Sequence, residues 1–205
     1  MLRKFKRLAQ RRLFGEQPGI ETDVAGRDLL LQAMPKHAVC AEIGVWEGDF
    51  SQCILDRTRP AKLHLIDPWR YEQDITYKDS LYGGQIGGSQ AKLDKIYARV
   101  CERFASEIAS QQVVIHRGDS HAVCEQFADD YFDWIYIDGN HLYEFAIRDL
   151  QMYYRKLKPG GFLTGDDYSE GGWWQGGVKK AVDEFVSQGQ VELIQIHQKQ
   201  YIVRK

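Results

Sequence analysis

Much of what would send a chain of this size elsewhere is missing from it. Among 205 residues there are only four cysteines, Cys40, Cys53, Cys101 and Cys124, none in Cys-x-x-Cys spacing and each set in apolar sequence. That excludes a disulfide framework and a zinc ribbon, and implies reduced, packed thiols in a cytoplasmic protein. No apolar run approaches the ~20 residues that span a bilayer, and the N-terminus lacks the apolar core of a signal peptide, so a soluble chain is expected. No sign of charge dominates: 27 Lys and Arg against 29 Asp and Glu leave a net charge of −2. Without a basic face on its body, the chain has no electrostatic demand for nucleic acid. Internal repeats and low-complexity tracts are absent. The length is too small for two ordinary domains, while 43% hydrophobic content suffices for one core.

What is present begins with a local bias. Arg3, Lys4, Lys6, Arg7, Arg11 and Arg12 crowd the first dozen residues between Leu2, Phe5, Leu8 and Leu13. This spacing suits an amphipathic helix able to touch an anionic membrane surface weakly, or to assist assembly into a homo-oligomer. Residues 1–35 are read as this basic arm and a helix, and 36–205 as the working domain.

There, strand-like runs at 38–43, 62–66, 113–116, 133–137 and 162–164 alternate with helical segments at 51–56, 89–104, 122–127 and 143–157. Alternation of this kind implies right-handed crossovers and a parallel sheet covered on both faces, a doubly wound α/β domain. The end of the chain departs from it. After a helix carrying Val178, Ala181, Val182 and Phe185, two short strands at 191–196 and 201–203 flank Gln198-Lys199-Gln200, and so tight a connection makes them antiparallel. Residues 68–90 are aromatic and glycine-rich and read as a lid loop.

Two strands end abruptly on acids, Phe-Asp-Trp-Ile-Tyr-Ile-Asp at 132–138 and Leu-Thr-Gly-Asp-Asp at 163–167. Asp138, Asp166 and Asp167 therefore converge where the strands stop, provided the second strand ends at Gly165, because successive strand residues face opposite ways. At roughly 5 Å and an effective dielectric near 20, each pair of charges repels by about 3 kcal/mol. Such a group requires a proton, a basic partner or a metal, and carboxylates favour a hard cation such as Mg²⁺, Mn²⁺ or Ca²⁺.

The other strand ends suit a nucleoside. The first closes on Glu42-Ile43-Gly44-Val45-Trp46-Glu47-Gly48. This is not the dinucleotide fingerprint, which needs glycine where Trp46 stands, and Glu42 would sit badly beside a pyrophosphate but well beside an ammonium group. Asp67 ends the second strand, where an acid accepts hydrogen bonds from ribose hydroxyls. Gly118-Asp119-Ser120 ends the third, where a carboxylate can take the exocyclic amine of adenine. Ammonium, ribose and adenine together describe S-adenosylmethionine.

In these motifs, with Lys-Pro-Gly-Gly at 158–161 and His141 in Asp-Gly-Asn-His, residues 36–205 resemble the class I S-adenosylmethionine-dependent methyltransferases, and specifically the small bacterial family related to macrocin O-methyltransferase. The resemblance implies a Rossmann-like seven-stranded sheet of order 3-2-1-4-5-7-6 with strand 7 antiparallel. It also implies cofactor contacts from Glu42, Gly44, Gly48, Asp67, Asp119 and Ser120, and Mg²⁺ held by Asp138, Asp166 and Asp167. By the same likeness, His141 is the base and Asp138 shares the catalytic role. The expected activity is O-methylation of a hydroxyl on a sugar, glycan or glycosylated small molecule. Two alternatives stay open: metal-independent N- or O-methylation of another small molecule, with Asp138 orienting the nucleophile, and non-catalytic binding of S-adenosylmethionine. Tyr143, Tyr168, Trp173 and Trp174, with Trp69 and Tyr71 from the lid, are candidates for an acceptor wall.

Overall fold

The computed structural model describes residues 18–205. The basic cluster at 3–12 lies outside them. The described chain begins with helix α1 (Pro18–Ala33), followed by β1 (Val39–Ile43), α2 (Asp49–Thr58) and β2 (Lys62–Asp67). The short helix α3 (Gly84–Gly87) precedes α4 (Gln90–Arg103), α5 (Ala105–Ala109) and β3 (Val113–Arg117). Then come α6 (Ser120–Cys124), β4 (Phe132–Ile137), α7 (Tyr143–Lys156), β5 (Leu157–Gly165), α8 (Gly177–Ser187), β6 (Glu192–His197) and β7 (Gln200–Arg204).

The strands form one sheet in the order β3-β2-β1-β4-β5-β7-β6, with β7 antiparallel to both its neighbours, as expected. Side chains alternate across it with a period of two. Trp134 and Tyr136 of β4 pack with Leu31 of α1, Phe50 and Ile54 of α2, and Leu93 and Ile96 of α4. Ile135 and Ile137 of the same strand pack with Leu150 and Tyr153 of α7 and Val182 and Phe185 of α8 on the other face. Among the described residues no helix is long and apolar enough to cross a membrane, and all four cysteines are free.

Two elements depart from the expected spans. β5 starts at Leu157, not 162, because a register shift opposite Phe132 and Trp134 lets the Lys-Pro-Gly-Gly segment stay in the strand. Helix α6 starts at Ser120, so Asp119 stands at its N-cap, but without a capping bond, since Arg70 takes its carboxylate.

The parallel strands stop at one edge, and the hydrogen-bond ladder runs one residue past their ends. Gly44 N–H donates to Ile66 O (2.9 Å), Asp138 N–H to Ile43 O (2.7 Å) and Asp166 N–H to Ile137 O (3.2 Å). Backbone pairing thus places the two acids and the first glycine beside one another.

Candidate active site

Gly44 is where the site begins. Its φ is +86°, and a Cβ there would lie 1.9 Å from the Asp138 carbonyl oxygen. Only glycine lets β1 turn away over the tip of β4. Trp46 follows at φ 52°, a left-handed conformation that costs a bulky residue on the order of 1–3 kcal/mol and persists only when its surroundings hold it. The holder is Asp67, fully buried. One of its oxygens accepts N–H bonds from Val45 (2.8 Å) and Trp46 (3.0 Å), the other from Trp69 (2.7 Å). Tyr82 of the 68–90 segment also donates its hydroxyl to Asp67. Burial pushes the Asp67 carboxyl up against these four donors, which pull the other way. The predicted ribose acceptor is thereby also the clamp of the glycine turn, with Tyr82 already on it.

The other predicted cofactor residues lie around the same edge. Glu42 is buried, accepts a hydrogen bond from Ser51, and is pushed up to about 8, chiefly by burial and against that bond. Asp119 is held below its usual range by a two-pronged Arg70 pair at 2.9 and 2.9 Å. Ser120 donates to Asp149 at 2.6 Å. Asp149, missed by sequence reasoning, is raised to about 6 by burial, opposed by Ser120 and Arg148. Gly48, at φ +76°, caps α2 against Phe104 and lines neither of the cavities described next.

Two cavities meet at this edge. A smaller one of about 330 Å³ is lined by Gly44, Asp67, Asp119, Ser120, Asn140 and Asp149, among others. A larger one of about 470 Å³ is lined by Arg27, Glu42, Trp46, Phe50, His141 and Trp174, among others. Gly44, Ser80, Tyr82, Asp138, Gly139 and Trp173 border both. Residues 68–90 are ordered over them, with a 3-10 turn at Ile75–Tyr77 and a bridge between Glu72 and Gly83.

The acids converge, but on side chains. β5 ends at Gly165, and Asp167 reverses direction at φ 59°. This returns its Oδ2 to 3.2 Å from His141 Nδ1, out of hydrogen-bond alignment, while His141 Nε2 sits 3.3 Å from Asp138 Oδ1. Burial works against the imidazolium, yet the hydrogen bond and charge of Asp138, with the charges of Asp167 and Asp166, outweigh it and leave His141 raised. Asp167 is itself pushed up to about 6, first by burial, with His141 pulling down and Asp138 and Asp166 pushing up.

Asp166 behaves otherwise. One oxygen accepts from Asp167 N–H (2.7 Å), and the other takes Arg27 Nη2 (2.5 Å) and Nε (3.0 Å). The same Arg27 nitrogen reaches Asp138 Oδ2 at 2.9 Å. The expected magnesium trio of Asp138, Asp166 and Asp167 is thus not assembled around one point in this structure: Asp138 and Asp166 share the Arg27 guanidinium, which answers their repulsion, while Asp167 turns to His141. Among the described residues Asp138, His141 and Asp167 bring one donor atom each within 4.8 Å of one another. An ion there would occupy imidazole nitrogen needed for proton transfer.

The aromatic wall is only partly assembled. Trp173 and Trp174 pack against His141, with ring centroids at 6.0 and 4.9 Å. Trp69 is a core residue, donating its indole N–H to Trp46 O. Tyr71 bonds to Gly84 O, Tyr143 to Glu184 and Tyr168 to Asp183, none of them lining either cavity. Trp46 and Phe50 take their places in the wall.

Residues 41–168 match a family model described as a methyltransferase domain. One curated relative, an uncharacterised protein of Acanthamoeba polyphaga mimivirus, is 39% identical over 41 residues, 20% of this chain and 19% of that protein. The match thus spans about a fifth of the relative's length. Among solved structures, the O-methyltransferase NovP aligns with TM-score 0.57 at 20% identity over 87% of this chain and 75% of its own. The O-methyltransferase TomG from Streptomyces achromogenes, involved in tomaymycin synthesis and solved with SAM, aligns with TM-score 0.55 at 16% identity, over 87% and 76%. At these identities the two structures share its fold.

Proposed function

The chain belongs to the methyltransferase-domain family that its residues 41–168 match, and from that premise we propose that it moves the methyl group of S-adenosylmethionine to a hydroxyl oxygen of a sugar, glycan or glycosylated small molecule. The observation carrying this reading is the meeting of the two cavities at Asp138 and Gly139, with His141 facing the larger one. The smaller cavity takes the adenosine, with its ribose competing with the Tyr82 hydroxyl for Asp67. The methionine end runs past Gly44 toward Glu42. The acceptor enters the larger cavity between Trp46, Trp173 and Trp174, whose flat faces suit a sugar ring.

His141, once neutral, takes the hydroxyl proton as the oxygen attacks the sulfonium methyl carbon. The O–C bond forms as the S–C bond breaks, and a neutral thioether leaves. The proton goes to His141 Nε2, whose long 3.3 Å contact with Asp138 yields to the hydroxyl, while the Asp167 carboxylate 3.2 Å from Nδ1 steadies the imidazolium that forms; alignment supplies the rest. With Asp138 and Asp166 paired to Arg27 and Asp167 beside His141, these carboxylates do not offer a divalent ion the expected trio, and the hydroxyl proton leaves by His141. Arg27 on Asp138 and Asp166 favours the metal-independent reading of the transfer.

The test is incubation with methyl-labelled S-adenosylmethionine and hydroxylated acceptors, with and without a strong chelator. Label is expected on acceptor oxygen in both. Label on nitrogen alone, or none on any acceptor, refutes the hydroxyl reading; loss on chelation restores the metal.

Glu42 gives a second expectation. At about 8 it is mostly protonated in the free protein at pH 7, above the ordinary carboxyl value of 4.5. An ammonium group arriving beside it favours the charged form, so cofactor binding between those two values releases a proton. Calorimetry in buffers of different ionisation enthalpy should register up to about one proton near pH 7. It should register none in Glu42→Gln. Equal release by both proteins would take Glu42 out of the cofactor site.

A further inference from the structure

We propose that Arg27 is the resident cation of the strand-tip carboxylates, and that a divalent ion and this guanidinium are mutually exclusive occupants of Asp138 and Asp166. The geometry is two-pronged. One terminal nitrogen lies 2.9 Å from Asp138 and 2.5 Å from Asp166, and Nε adds a second bond to Asp166 at 3.0 Å. The Tyr136 hydroxyl lies 3.3 Å from the same Asp166 oxygen and 3.0 Å from Gln200 Oε1, and the Asp167 amide fills the other Asp166 oxygen. Asp166 is 4% exposed at its side chain. A hard cation seeking these oxygens finds them already used, and must expel a group that cannot lose its charge by deprotonation.

The position of Arg27 is built into the fold. It is the only basic residue in α1. Its neighbour Gly26 has no Cβ, and one would meet Gln198 Oε1 at 2.7 Å, so the helix lies tight against the turn between β6 and β7. Leu30 and Leu31, one turn on, are in the core. The guanidinium sits over the Phe50 ring at 5.1 Å and the Tyr136 ring at 6.0 Å, a seat suited to a flat, weakly hydrated cation rather than an ammonium. Helix, strand tips and aromatic platform thus agree on one occupant, which borders the larger cavity. A positive charge reaches the acceptor side of the reaction without an imported ion.

The inference is independent of which acceptor is methylated, and its test reads binding rather than turnover. Mn²⁺ is titrated into the full-length protein, with the free ion followed by electron paramagnetic resonance. Arg27→Met removes a like charge from within a few ångströms of the ion's place, so it should bind Mn²⁺ at least about tenfold more tightly than the natural protein. Adding Asp166→Asn to it should reverse the gain. Should Arg27→Met fold poorly, Arg27→Gln serves. In either, Mn²⁺ should raise the melting temperature while leaving that of the natural protein in place. Equal Mn²⁺ affinity with and without Arg27, whether tight or weak, overturns the proposal and leaves the methyltransferase reading untouched.

Discussion

Replacing His141 with alanine is expected to lower kcat by roughly 10²–10⁴-fold, the usual contribution of a positioned base, with cofactor affinity little changed. The separation follows from placement: His141 does not line the smaller cavity that takes the adenosine, and the methionine end is held at Glu42. A pH signature accompanies it. The carboxylates around the imidazole leave it raised above its ordinary 6.5. A base must be unprotonated, so turnover should climb as pH rises through an ionisation above 6.5 and then level off. The climb should vanish in His141→Ala. Steady-state rates across pH 5.5–9 check both parts, and a variant retaining most of its kcat, or the same climb, would remove His141 from the chemistry.

Gly44→Ala should be the most disruptive single methyl group added to the site. Its Cβ would fall 1.9 Å from the Asp138 carbonyl, at a φ of +86° that alanine avoids. Relief requires prising the turn off the tip of β4, and with it the Asp67 clamp on Val45 and Trp46. Overpacking and the backbone penalty together amount to about 3 kcal/mol or more. Cofactor binding should fall by about two orders of magnitude, because that loss lies in the binding loop itself. Urea denaturation and calorimetric titration would measure the two losses. A variant of natural stability and affinity would mean that the turn is not held as described.

Much of this was legible in sequence because it is local. Alternating strand and helix patterns give the sheet, and the tight connection near residues 198–200 gives its reversed edge. Strand-end acids are visible because β-branched runs stop at them. What failed was non-local. Arg27 is 111 residues from Asp138 and 139 from Asp166. Its only trace in sequence is to be the lone base beside a glycine in an otherwise acidic and apolar helix, and nothing there names its partners. The repulsion among carboxylates was readable, but its answer was not, since metal, proton and guanidinium satisfy it equally. Tyr82 was one aromatic among several in the 68–90 segment, and only folding sets its hydroxyl on Asp67. Trp69 looked like a ligand platform because tryptophan beside proline in a loop gives no hint of burial. Ser120 was found for its position, but its partner Asp149 is on α7, hidden in a helical pattern where an acid normally faces water.

A crystal structure of the complex with S-adenosylhomocysteine tests the central claim most directly. The account predicts adenosine in the smaller cavity, ribose on Asp67 with the Tyr82 hydroxyl displaced, and the thioether sulfur turned toward His141 across Asp138. A nucleoside in the larger cavity, or a sulfur pointing away from His141, would contradict it.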